Sequence, residues 1–444
     1  MRVKVERGLI LLVLLFCHSL AGFSQAAEDA AVLPKGVFRT VLDSSFYLPI
    51  DTRYDPDGKV ENVAANFNTR LNSRVFTALT PLNPLVGGLA SIGDSVTSFT
   101  YENEELEIGL QYGVTDNLTI GMKILYRWFT NTVKARLNSA PGSSANVGKN
   151  PCFGVVGCPF GRTVPFIPIA LGGVRLTTED VQGLLGGGLD INGDGTKDIA
   201  GFGFKRFQTW EGNGLRDLET GFRYQYLKTE DWRLAFTGGW RFPTGRVDDI
   251  DNLTDYPFGS GAYALLFRFN HDYVLSNLWK GTPKTSGEGG VITPGPGDLV
   301  LNGTFSYDLV FPDKIKKRIS SDANNPIALN KEKVNRNIGD SFQLEGSAKY
   351  GLLEGLSFTG TYRYGFKNKD RVTASIGHVR GLEEETRSNE HIYIVDLSYS
   401  TLPLYAQKKF FLPLTASVSY RNRFAGSNNV LRSQYIGMAL KLFF

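Results

Sequence analysis

The sequence predicts an all-β chain: a transmembrane antiparallel β-barrel of about twelve strands, with fourteen as the alternative count, periplasmic termini and long external loops. Three observations carry this prediction. Apolar and polar side chains alternate with a two-residue period along most of the chain, an export leader opens it, and no apolar run of about 18 residues follows that could form a spanning helix. An exported chain without a spanning helix is either soluble in the periplasm or a closed barrel, since only helices and closed barrels satisfy their backbone groups in lipid. The composition favours the barrel, with 50 Gly, 30 Phe and 19 Tyr against 3 Met. A slightly negative mean hydropathy fits a chain in which half of each strand faces water.

The leader is read from Arg2, Lys4 and Arg7, the apolar run from Leu9 to Phe16, and the small residues Ser24, Ala26 and Ala27. Cleavage after Ala26 leaves a mature chain from Ala27, so residues 1–26 are assigned as signal peptide and 27–444 as one barrel domain with long loops at 49–95 and 137–201. Leu15 and Phe16 exclude a lipoprotein signal at Cys17, where small residues are needed. The formal charge of +4 includes +2 from Arg2, Lys4, Arg7 and Glu6, which leaves about +2 on the mature chain and no reason to expect nucleic acid.

Strands are expected near 36–48, 96–113, 117–136, 202–228, 232–245, 261–275, 297–310, 340–350, 355–369, 389–401, 408–423 and 430–444. The clearest hairpin runs from Leu106 to Tyr112, turns at Thr115-Asp116-Asn117, and returns from Leu118 to Ile124. Leu106, Ile108, Leu110, Leu118, Ile120, Met122 and Ile124 would meet lipid. Turns near 115, 229, 352 and 404 are short and so expected on the periplasmic side, whereas 246–260, 311–339, 370–388 and 424–429 join 49–95 and 137–201 on the outside. The long segment 276–296 falls on the short-turn side, which makes it either a long turn or the source of two more strands.

In the last strand Ile436, Met438, Leu440, Leu442 and Phe444 share one face, while Tyr435, Gly437, Ala439 and Lys441 share the other. A strand ending the chain on an aromatic residue resembles the closing strand of bacterial outer-membrane barrels. Gly437 followed by Leu440, Leu442 and Phe444 fits the spacing read by the barrel assembly machinery in those proteins, so that machinery and outer-membrane lipid are expected partners.

The same alternation places on the lumen side Glu105, Glu107, Lys123, Arg127, Glu219, Arg223, Arg233, Arg241, Arg268, Glu345, Lys349, Arg363, Lys367, Asp396, Arg421 and Lys441. Basic residues outnumber acidic ones, so weak anion preference in a pore is one reading. The other is that opposite charges pair across neighbouring strands and fill a narrow barrel.

Residues 214–224, with Trp232-Arg233-Leu234-Ala235-Phe236, Phe242-Pro243-Thr244-Gly245 and the region Gly109 to Gly121, resemble the outer-membrane family associated with meta-pathway phenol degradation. The resemblance covers about a third of the chain. It implies a channel or transporter for passive passage of small solutes, hydrophobic or aromatic compounds among them. A structural or adhesin-type barrel with a plugged lumen is the alternative reading. A barrel-embedded hydrolase ranks lower, because His271, His378 and His391 lie in no nucleophile or metal motif.

Two further features fall in the long loop 137–201. Cys152 and Cys158, the pair left after the leader is removed, are expected to form a small loop disulfide. Asp190, Asn192, Asp194, Thr196 and Asp198, with Gly195 at the turn, match the first part of a calcium loop, although Gly201 stands where a bidentate Glu belongs. Calcium stiffening an external loop is the expectation, set against an Asx-rich turn in solvent.

Overall fold

The computed structural model describes residues 29–280, 293–320 and 327–444. The expected leader, Ala27 and much of the 276–296 connection therefore lie outside the described residues. Twelve strands close into a ring: β1 (Phe38–Tyr47), β2 (Ser91–Thr115), β3 (Leu118–Asn138), β4 (Leu218–Lys228), β5 (Trp232–Phe242), β6 (Ala264–Val274), β7 (Leu299–Val310), β8 (Ser341–Leu353), β9 (Leu356–Lys367), β10 (Ser388–Ser400), β11 (Leu414–Gly426) and β12 (Gln434–Phe443). Each pairs antiparallel with its neighbours. β1 closes the ring between β12, with Leu42 opposite Leu440, and β2, with Leu42 opposite Ile108. Phe444 completes this seam, exchanging backbone hydrogen bonds of 2.8 and 3.0 Å with Phe38. The fourteen-strand alternative is thereby corrected. β6 and β7 pair continuously from Ala264–Val310 to Val274–Val300, so no further ring strand stands between them, and the chain leaves this ladder at the end of the barrel that carries Phe38 and Phe444.

Two other expectations change. The strand expected over 202–228 is two pieces, Trp210–Leu215 and β4, both paired to β3. The break falls at Arg216-Asp217, where the Asp217 carboxylate accepts from the Gly245 and Ser260 amides at 3.0 and 2.8 Å and draws the chain away from the ladder. The turn near 404 is not short, because β11 starts only at Leu414. Residues Leu402–Ala406 form a helical turn with proline in its first positions, and Thr401 Oγ1 reaches across to the Leu412 carbonyl at 2.6 Å.

β2 has 25 residues and β3 has 21. At about 3.3 Å per residue β2 runs roughly 80 Å, far more than the ~9–11 residues a spanning strand needs, so the upper hairpin stands clear of the bilayer. The long segments fold against it. Leu79, Ile92, Val147, Phe166, Leu176 and Leu184 form a separate apolar core, capped by the helix Thr178–Leu185 with a Thr177/Asp180 capping box. A second small core of Ile315, Ile319, Val334 and Val372 lies under a three-stranded sheet of Asp313–Arg318, Lys331–Asn337 and Arg371–Thr373. Alternation along charged segments such as Lys331–Asn337 is too weak to mark these strands in sequence, since Ile315 and Val334, paired across the first two, are the main apolar signal.

The ring's outer face is apolar and solvent-exposed: Ile108, Ile120, Phe222, Phe269, Phe305, Val418 and Ile436 all stand outward. A soluble sheet would bury such a face; a barrel of this kind offers it to lipid. On β10, Leu397 stands outward between the exposed rings of Tyr393 and Tyr399. Leu397→Arg is expected to destabilise the folded barrel by about 2–4 kcal/mol. Urea unfolding in lipid vesicles, followed by tryptophan fluorescence, measures it. Asp396→Asn, one residue along but facing inward, should change the lipid contact not at all.

Candidate functional site in the barrel lumen

The inner faces of the twelve strands enclose two cavities of about 430 and 630 Å³, which share Lys123, Glu219, Arg241 and Arg363 in their walls. Glu105, Glu107, Arg127 and Arg421 line the larger cavity, and Arg268, Glu345 and Lys367 the smaller. Arg223 lines a third recess of about 110 Å³. Arg233 and Asp396 are buried inside, and Lys349 and Lys441 lie within electrostatic reach of Asp29 and Asp396.

Charges here alternate across adjacent strands. Lys123, Glu219 and Arg241 are direct cross-strand neighbours on β3, β4 and β5, with Lys123–Glu219 at 3.3 Å and Arg241–Glu219 at 2.8 Å. Lys123 also reaches Glu107 at 3.4 Å, and Arg241 reaches Asp308 at 2.9 Å. Arg127 Nε donates to Glu105 at 2.7 Å and Arg363 Nε to Glu345 at 2.6 Å. The wall is a zipper of partly buried ion pairs, which limits the positive field available to a passing ion.

Sequence reasoning missed several members of this wall. Asp43 and Tyr47 on β1 and Arg423 on β11 share the inner face with residues that were identified, and alternation carried one step further would have found them. Ile392 and Ile394 are also inward and fully covered. They lie opposite Arg423 and Arg421 in the ladder between β10 and β11, and both arginines line the larger cavity.

The more consequential omission is the chain segment just before β1. Residues 29–33 lie inside the barrel at the end that carries the termini, with Ala30 and Leu33 almost wholly buried. The Ala30 amide donates to both Asp272 oxygens at 2.9 and 3.1 Å, and Gln225 Nε2 donates to the Ala30 carbonyl at 2.8 Å. Arg223 Nη1 donates to the Asp29 carbonyl at 3.0 Å, and the Leu33 amide to Thr119 Oγ1 at 2.8 Å. β3, β4 and β6 thus hold this segment across the lumen. It enters over Gly113, where a Cβ would collide with the Pro34 carbonyl, so the absence of a side chain there permits the crossing.

At the opposite end the loop between β5 and β6 folds inward. Tyr256 stacks on Phe129 with centroids 4.1 Å apart and lies under the Arg127 guanidinium, while Asn131 Nδ2 donates to the Thr254 carbonyl at 3.0 Å. Tyr256 to Ser260 form part of the wall of the larger cavity.

The other candidates lie away from the lumen. Cys152 and Cys158 are joined by a disulfide, with Cα atoms 5.7 Å apart. In the loop at 190–198, Asp190 accepts from the Gly193 and Gly195 amides at 2.6 and 2.8 Å, and Asp198 from the Ile191 amide at 2.7 Å. Hydrogen bonds from the Thr196 hydroxyl and amide, then from Asn192, hold the Asp194 carboxyl below its ordinary range. The carboxylates of this loop serve amides of an Asx-rich turn, and among the described residues no three His, Cys, Asp or Glu side chains gather as metal ligands. His391 faces outward, Nδ1 bonded to the Tyr362 hydroxyl at 2.7 Å among the rings of Tyr364 and Phe424. His271 is exposed on β6, and His378 pairs through its backbone with Ser320.

Fold and site together define a membrane-spanning β-barrel with a charged lumen that narrows at both ends. No family model and no curated protein matches the chain. Among solved structures it is similar to an outer membrane channel from Pseudomonas putida F1, at 11% identity and a TM-score of 0.47, over 95% of this chain and 100% of that one. The Ralstonia pickettii toluene transporter TbuX aligns at 10% identity and a TM-score of 0.34 over 96% and 97% of the two chains. A Pseudomonas aeruginosa FadL homologue aligns at 9% identity and a TM-score of 0.29 over 95% and 99%.

Proposed function

We propose that the protein is a passive channel of the bacterial outer membrane for small solutes, aromatic or hydrophobic compounds among them. The observation that carries this reading is the pair of adjoining polar cavities, about 430 and 630 Å³, the larger walled by the inward-folded loop, with the recess of about 110 Å³ that reaches Ala31 and Leu33 sharing Lys123 and Glu219 with both. A barrel serving only as a scaffold has no need of so large an unfilled interior. In this reading the termini and the connections 228–232 and 353–356 face the periplasm, and the folded loop units face outward. Purified protein in planar bilayers is expected to pass small, discrete currents. Proteoliposome swelling that rises with phenol or toluic acid more than with a sugar of equal size separates an aromatic-compound channel from a general pore. Absence of current and of swelling under every salt and voltage would leave the scaffold reading in its place.

A further inference from the structure

Seven cationic side chains line the larger cavity: Lys123, Arg127, Arg216, Arg241, Arg363, Arg421 and Arg423. Six have a carboxylate within ion-pair distance. Lys123 has Glu107 and Glu219; Arg127 and Arg216 have Glu105; Arg241 has Glu219; Arg363 has Glu345; and Arg423 has Glu390. Arg421 has none among the described residues. Glu390, which acts on it electrostatically, is already engaged by Arg423 at 2.7 Å. Asp43, a further carboxyl of this wall without an ion pair among the described residues, lies four residues along β1 from Tyr47 and two strands across from β11, about 16 Å away by strand geometry.

The surroundings of Arg421 are aromatic. Tyr47, Tyr435 and Arg421 are direct cross-strand neighbours on β1, β12 and β11. The Tyr47 and Tyr435 rings lie 4.7 Å apart, and the Arg421 guanidinium sits over the Tyr435 ring at 5.2 Å. Arg421 Nη1 donates to the Tyr435 hydroxyl at 3.0 Å, which fixes the plane of the guanidinium and leaves its other N–H donors available. Tyr256 and Phe258 of the inward-folded loop form part of the same cavity wall.

We infer that Arg421, Tyr47 and Tyr435 form a binding subsite for small aromatic carboxylates within the lumen. A planar guanidinium matches a carboxylate through two parallel hydrogen bonds, which a point charge such as lysine does not supply. Tyr435, 6% exposed and already covered by Arg421 and Tyr47, fixes the guanidinium, and the less buried Tyr47 ring offers the surface against which an aromatic ring packs. This deepens the channel reading and rests on it for its biological meaning, but binding itself does not require conduction.

The test is calorimetric titration of benzoate into the purified, detergent-folded protein, with acetate, chloride and benzyl alcohol as comparators. Saturable benzoate binding, with all three comparators much weaker, is the expected result. Arg421→Gln should weaken benzoate roughly tenfold or more, and Tyr47→Leu should weaken benzoate more than acetate. Heat-modifiable migration on gels reports that each variant is folded, and Arg421→Lys, which keeps the charge, replaces Arg421→Gln if the latter does not fold; it too should weaken benzoate. Equal benzoate affinity in the folded Arg421 variant overturns the proposal, as do equal affinity for acetate and the absence of saturable benzoate binding. Currents from the same preparation judge the channel separately: binding without current removes the channel and keeps the subsite, whereas current without binding does the reverse.

Discussion

Deleting residues 29–33 is expected to raise single-channel conductance severalfold while leaving the barrel folded. The closed ladder begins at Phe38, so none of its backbone pairs depends on the deleted segment. The segment is held by hydrogen bonds from Arg223 and Gln225 on β4, to Asp272 on β6 and to Thr119 on β3, so three strands fasten it across one end of the lumen. Its removal exposes the Asp272 carboxylate, which keeps the Asn302 Nδ2 hydrogen bond at 2.7 Å and gains water in a widened channel. Gly113→Val provides an independent route to the same state: a side chain at that position meets the backbone at Pro34 and forces the segment off the rim. Both variants should show larger currents in planar bilayers. Unchanged currents in both would move the constriction to the loop at 254–260 and remove any gating role from the N-terminal segment.

That segment also marks where sequence reading stops. Alternation identified all twelve ring strands because one side of every strand meets lipid and the other meets the lumen, and this two-sided demand is written residue by residue, as in Ile436 to Phe444. The direct charge neighbours Lys123, Glu219 and Arg241 follow from the same period once the register of β3, β4 and β5 is known. Residues 29–33, Asp-Ala-Ala-Val-Leu, have no periodic pattern and take their place from partners some 86 to 242 positions away. The turn near 404 was misjudged for a related reason. Lys408-Lys409-Phe410-Phe411 resembles the start of a strand by composition, yet Lys408 adopts a positive φ of 59° and β11 begins only after Pro413. The special quality of Arg421 was equally hidden, because a charge list cannot show which cation of the larger cavity lacks a carboxylate among the described residues until the other six there have been paired.

Glu345→Ala is expected to destabilise the barrel by about 3–5 kcal/mol, one of the largest effects of a single change in the ion-pair zipper. Glu345 and Arg363 are direct neighbours on β8 and β9, and their side chains are 5% and 13% exposed, the most enclosed of the lumen pairs named above. Removing the carboxylate leaves a guanidinium whose desolvation is no longer offset. Replacing both residues by leucine removes that uncompensated charge, so the double variant should be far closer to the original than Glu345→Ala alone, and urea unfolding of the three variants gives the coupling directly. The same substitution has a functional counterpart. Arg363 lines both cavities, so freeing it creates a second unpaired guanidinium beside the path that passes Arg421. In protein that remains folded, Glu345→Ala should therefore shift reversal potentials in a salt gradient towards anions, while Arg421→Gln shifts them the opposite way. If the two substitutions moved selectivity in the same direction, the pairing state of individual arginines would not be what sets the field in this lumen.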